Sequence, residues 1–183
     1  MDHKIKKDLF RYEGKNSDRI LVQLRYLFFV PGFQYIYFLR KTQNARWIVA
    51  RAFYSALLKL KSYRFGIQIP SQTKIGEGLR ILHWGHVVVN PNAVIGKNFN
   101  ISQGCLIGMA EGKKKGVPVI GDNVVMNANS MIIGGVKIGD NVLIAPGAFV
   151  NFDVPDNSIV IGNPGKIIQK DSSPAAKYIV YSV

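Results

Sequence analysis

Residues 120–150 read IGDNVVMNANSMIIGGVKIGDNVLIAPGAFV. An apolar side chain recurs there every six positions, as Ile120, Met126, Ile132, Ile138, Ile144 and Val150, with small or polar residues between. Six is neither the 3.6-residue period of a helix nor the two-residue period of a strand. It is the period of a chain that turns a corner every six residues, a parallel β-helix whose inward side chains stack one coil above another. Glycine and asparagine tolerate the positive φ that tight corners demand.

Working outward, the same period runs through Ile75, Ile81 and Val87 and, after a two-residue slip at Asn90-Pro91-Asn92, through Ile95, Ile101 and Ile107. Ile95-Gly96-Lys97-Asn98, Ile120-Gly121-Asp122-Asn123 and Ile138-Gly139-Asp140-Asn141 are near copies of one unit. Met109–Pro118, MAEGKKKGVP, is a basic excursion, and loops on repetitive scaffolds commonly carry function. The fold class is mainly β: a parallel β-helix over residues 67–168 with a loop at 109–118. A short α-helical region, basic and rich in aromatics, precedes it at 1–66. A tail follows at 169–183, which leaves the solenoid or packs back through Tyr178, Ile179 and Tyr181.

Within 1–66, Ile20, Leu21, Leu24, Leu27 and Phe28 have helical spacing, Pro31-Gly32 breaks the chain, and further helices are expected over Phe33–Arg40 and Ala45–Tyr63. The formal net charge is +13. It is concentrated in residues 1–66, with 14 Lys and Arg against 4 Asp and Glu, whereas 67–183 hold 10 against 7. Such a region caps a neighbouring domain or subunit, or docks peripherally on an anionic membrane. No nucleic-acid recognition motif accompanies the charge, so no nucleic-acid partner is expected. The longest uncharged run in this region, Tyr26–Leu39, is too short to span a bilayer, and no secretory signal is visible at the start. A cytoplasmic location is expected, with peripheral contact to the inner membrane face as its extension. One cysteine, Cys105, rules out a disulfide framework within the chain, and with His3 placed in a charged, mobile start no metal is expected.

Four stretches carry a resemblance. Pro31-Gly32-Phe33-Gln34 with Leu39-Arg40, Gly78–His83 with Val87-Val88-Val89, Ser102–Gly108, and Gly162-Asn163-Pro164-Gly165-Lys166-Ile167 are similar, in one collinear order, to the serine O-acetyltransferase family of hexapeptide-repeat acyltransferases. The resemblance implies a left-handed solenoid, a homotrimer with sites in the grooves between subunits, and acetyl-CoA as co-substrate. It places His83 at the catalytic position, as the general base that takes a proton from an attacking hydroxyl. Gln68 falls where the family has the carboxylate that orients this histidine. Trp84 and His86 are candidates for the oxyanion and the acceptor. Gly108, Ala128, Pro146 and Gly147 fall along the CoA arm, and Lys166 falls at its phosphates.

Three positions depart from the family. Leu82 stands where an Asp precedes the histidine, Gln68 replaces a second Asp, and Val117 replaces a second histidine. A leucine cannot pair with the ammonium of serine. The expected acceptor is therefore a sugar hydroxyl of a capsule, exopolysaccharide or envelope glycan. Serine O-acetylation for cysteine biosynthesis and a non-catalytic membrane-associated trimeric scaffold are the alternatives.

Overall fold

The computed structural model describes residues 1–183. From Ile67 the chain winds as a three-faced parallel β-helix. The first face stacks Ile67–Gln68, Val87–Val89, Leu106–Gly108, Met131–Ile133 and Phe149–Val150; the second stacks Lys74–Ile75, Val94–Ile95, Val119–Ile120 and Lys137–Ile138. The third stacks Arg80–Ile81, Asn100–Ile101, Val125–Met126, Leu143–Ile144 and Ser158–Ile161. The register puts like on like: Ile75 beside Ile95, Ile95 beside Ile120, Ile101 beside Met126, Ile132 beside Val150. These inward side chains are buried in one cluster of 30 residues. Each contributes about 1.5–3 kcal/mol relative to exposure. The slip at Asn90–Asn92 and the loop at Met109–Pro118 both fall at the corner between the first and second faces, where extra chain leaves the stacked ladders undisturbed.

The repeated Ile-Gly-Asp-Asn unit has a reason at every position. The isoleucine points inward. The Asp122 carboxylate accepts from the Lys97 N–H at 2.6 Å, Asp140 from the Asp122 N–H at 2.7 Å, and Asp156 from the Asp140 N–H at 2.8 Å. A Cβ on Gly121 would lie 2.3 Å from Asp140 Oδ1, so the preceding residue must be glycine. Asn98, Asn123, Asn141 and Asn157 adopt φ between 54° and 60°, and their amides form a ladder at 3.0–3.1 Å.

Four helices precede the solenoid: α1 (His3–Glu13), α2 (Ile20–Phe29), α3 (Pro31–Asn44) and α4 (Ile48–Phe65). Pro31 occupies the first turn of α3, where its missing N–H costs nothing. Two bounds differ from expectation, since α3 runs on to Asn44 and α4 starts after Trp47. His3 is not in a mobile start but begins α1, with Nε2 3.7 Å from Glu77.

The first coil has an open edge, and edge backbone must find partners. Side chains of α1 and α3 supply them. The Tyr12 hydroxyl accepts from the Ile81 N–H and donates to its carbonyl, both at 2.9 Å. Tyr35 does the same for Ile69 at 3.0 Å. Arg40 donates to the Ile75 and Gly76 carbonyls and holds Asp8 at 2.8 Å, while Asp8 accepts from the Leu79 N–H at 2.8 Å. Burial pushes the Asp8 carboxyl up, and Arg40 opposes that shift.

The tail packs back. Lys166–Gln169 returns antiparallel to Ser158–Ile161. The segment after it lies along the third face, with Ala175 and Ile179 against Val125, and Asn100 donating to the Tyr178 carbonyl at 3.0 Å. Tyr181 packs edge-on against Phe10 of α1. The third face is thereby covered over much of its length. No helix is long and apolar enough to cross a membrane.

Candidate active site

Every coil turns from the third face to the first through a tight corner. Positive φ falls on Gly104, Asn129 and Gly147, each three residues before an inward aliphatic. The first coil breaks this rule. The equivalent residue there is Trp84, and the positive φ moves to Gly85 (113°) and His86 (52°). His86 is the one residue other than Gly or Asn with positive φ. Backbone in a sparsely populated region is a pointer toward a functional site. The irregular corner turns His83, Trp84 and His86 outward, all three exposed.

The corner is held from both sides. Below it, Gly66 caps α4 in the left-handed conformation (φ 64°) and accepts from the Val87 N–H at 3.0 Å. A Cβ on Gly66 would lie 3.1 Å from the His86 nitrogen. Above it, the Gly104 N–H donates to the Gly85 carbonyl at 2.9 Å. The sequence pattern already carried this signal, since Trp84 stands where the other coils of this corner have Gly or Asn.

A column rises from His83. Asn129 donates to the Gln103 carbonyl and Gly147 to the Ala128 carbonyl, both at 2.9 Å, so Ala128 and Pro146-Gly147 lie two and three coils above His83 on one corner. Three strand spacings span about 14 Å. Lys166 stands exposed beyond the top of the column, on the returning strand. Gly108 lies across the first face, where the loop leaves; the loop closes on itself through Ala110 and Gly116 and is tied to the next corners by Lys114–Asp153 at 2.8 Å. Gln68 is exposed on the same face, paired in register with Val88. The fold thus puts His83, Trp84, His86, Ala128, Pro146 and Gly147 on one edge, Gln68 on the adjoining face and Gly108 at its far side. In one chain this is an open wall.

Cys105 lies fully buried, with Sγ directed at the Asn127 carbonyl at 3.1 Å. Burial pushes its thiol up, away from the thiolate a nucleophile needs. No group of three or more His, Cys, Asp or Glu side chains is arranged to hold a metal ion.

Fold and corner together define a left-handed β-helix transferase. Residues 118–151 match the family described as bacterial transferase hexapeptide (six repeats). The chain is 37% identical over 137 residues to serine acetyltransferase of Staphylococcus epidermidis, covering 74% of this chain and 62% of that protein. It is 38% identical over 120 residues to serine acetyltransferase 2 of Arabidopsis thaliana, covering 62% of this chain and 37% of that one. Among solved structures, serine acetyltransferase of Neisseria gonorrhoeae superposes with a TM-score of 0.73 at 30% identity, over 96% of this chain and 69% of that one. The coenzyme A complex of the Brucella abortus enzyme gives 0.75 at 26% identity, over 93% and 68%. The chain belongs to the serine acetyltransferase-like family of hexapeptide-repeat transferases. It spans about three fifths of the Staphylococcus relative's length.

These relatives correct the expected sugar acceptor. That expectation treated Leu82, Gln68 and Val117 as if they were the whole acceptor pocket. The structure shows instead an exposed corner on an open wall, and one absent carboxylate beside His83 does not determine what a second wall supplies. The relatives in question are serine acetyltransferases over most of this chain.

Proposed function

We propose that this protein transfers an acetyl group from acetyl-CoA to the hydroxyl of L-serine. The observation that carries the reading is the irregular corner at His83–His86, set at the foot of a coil column in a chain that matches serine acetyltransferases from the helices to the last coil.

His83 takes the serine hydroxyl proton as the oxygen attacks the thioester carbonyl carbon. The tetrahedral oxyanion needs preorganised donors, and the Trp84 indole N–H, His86 and corner backbone N–H groups are the candidates. Collapse breaks the C–S bond, and the imidazolium returns the proton to the leaving thiolate of CoA. Gln68, as a neutral hydrogen-bond partner, sets the orientation of His83 without adding charge. The CoA arm runs up the column past Ala128, Pro146 and Gly147, with Gly108 across the face near the thioester and Lys166 toward the phosphates.

The assembly in this reading is a homotrimer. The first face offers Val88, Leu106, Met131 and Phe149 outward as an apolar stripe beside the wall, and a neighbouring subunit covering it closes the groove. Residue 82 contributes no carboxylate, so other groups meet the serine ammonium.

Steady-state turnover with L-serine and acetyl-CoA tests the proposal, alongside thermal stabilisation by CoA. Turnover with serine supports it, and Leu82→Asp should then raise kcat/KM for serine. Stabilisation by CoA without any acetylation of serine would overturn the acceptor assignment. Neither stabilisation nor turnover would overturn the enzyme.

A further inference from the structure

We infer that the outer surface of α2 and α4 docks on an anionic phospholipid bilayer. The inference is independent of the acetyl-transfer reading. From Arg19 through Gly76 the chain contains no Asp or Glu. Arg40 alone among the basic residues of this segment has an ion-pair partner, Asp8 on α1. Arg19, Arg25, Arg46, Arg51, Lys59 and Arg64 have none.

The apolar side chains of the same surface are equally without partners. Phe28 and Phe29 end α2 exposed, the latter at 79%. Trp47 (80%), Ile48 (84%), Val49 and Phe53 stand exposed at the start of α4. Of the 18 residues of α4 only Leu58 and Phe65 are buried. Where α2, α3 and α4 meet, Phe28, Phe29 and Phe38 line a groove edged by Lys61 and Arg64. Lys59 sits 4.8 Å above the Tyr63 ring and Lys61 5.4 Å above Phe65, so cations and aromatics share one level, as at a headgroup boundary.

Charge selects the occupant. A second copy of this face would set an acid-free basic surface against another. The aspartates of the solenoid corners already accept neighbouring backbone N–H groups, so they offer such a copy little. An anionic bilayer supplies both missing partners, negative headgroups for the arginines and hydrocarbon for the aromatics. With no helix able to cross a bilayer, α4 lies in the interface plane.

The full chain carrying Trp84→Phe keeps Trp47 as its one tryptophan. Its emission is followed against vesicles of phosphatidylglycerol with phosphatidylcholine, and of phosphatidylcholine alone. The expected result is a blue shift, with quenching by brominated acyl chains, on the anionic vesicles only, reversed by salt. Arg46→Ala with Arg51→Ala should lower partitioning about 25-fold, roughly fivefold per charge. An unchanged spectrum on both vesicles, or equal binding to both, overturns the inference. So does a Trp47 spectrum already blue-shifted without lipid that reverts on dilution, because that outcome makes this face a contact between copies.

Discussion

The helical cap and the solenoid reach stability by opposite means. In the solenoid each coil presents the next with the same face, so one inward aliphatic and one backbone ladder, repeated, organise the whole region. The cap meets the solenoid where the repetition stops. It satisfies that edge with unlike side chains, Asp8, Arg11, Tyr12, Tyr35 and Arg40, each reaching a different backbone group. Repetition tolerates local change, while a polar edge seal depends on single residues. Function divides along the same line. The candidate chemistry sits at the one corner of its column where the repeat is broken, directly above the end of α4.

The largest expected effect breaks the comparison from the solenoid side. His83→Ala should lower turnover by about 10²–10⁴ with folding retained, since an exposed corner residue contributes little to the core. A pH–rate profile and circular dichroism check the two halves of that statement. Unchanged turnover at saturating substrates would remove His83 from the mechanism.

Next comes the seal. Arg40→Met strands the buried Asp8 carboxylate and should cost about 3–5 kcal/mol. Adding Asp8→Leu should recover much of the loss, because the pair stabilises less than its disruption costs. Denaturant melts of both variants measure this, and additive losses would contradict the edge-seal account.

Smaller again is a single corner. Asn141→Ala should cost about 1–2 kcal/mol through its φ of 60°. Asn141→Gly restores the backbone freedom but not the bonds to Asn123 and Asn157, so the difference between the two variants isolates the conformational part.

The smallest effect concerns the loop. Lys114, and then the Lys137 N–H, hold the Asp153 carboxyl below its ordinary 3.8. A depressed folded-state pKa means the tie is fully present above that value and is lost as pH falls through the folded one. Amide exchange in residues 109–118 should therefore quicken below about pH 4, measured against wild type at constant salt. Asp153→Asn should exchange at the faster rate throughout, with no such step.

Much of this was legible in the chain as written. The six-residue period gave the solenoid, its slip and its loop. The positions of Gly and Asn gave the corners, and the acid-free run from Arg19 to Gly76 gave the charged cap. His83 came from resemblance to a family, and so did the residues placed along its column. The acceptor was misjudged because sequence neighbours of His83 were taken for a pocket, when at that corner the chain forms only one wall.

A repeat is legible because stacking makes equivalent residues neighbours, so sequence periodicity is spatial proximity. What only the tertiary structure decided has no period. Asp8 and Arg40, 32 residues apart, close over the first coil. Tyr12 binds a strand 69 residues away. The tail runs back along the third face to Phe10, and Gly66 at the end of one helix supports a corner twenty residues on. Each of these depends on where separate elements come to rest against each other. That is set by burial and by unpaired backbone at the edges of the solenoid, not by any local pattern of residues.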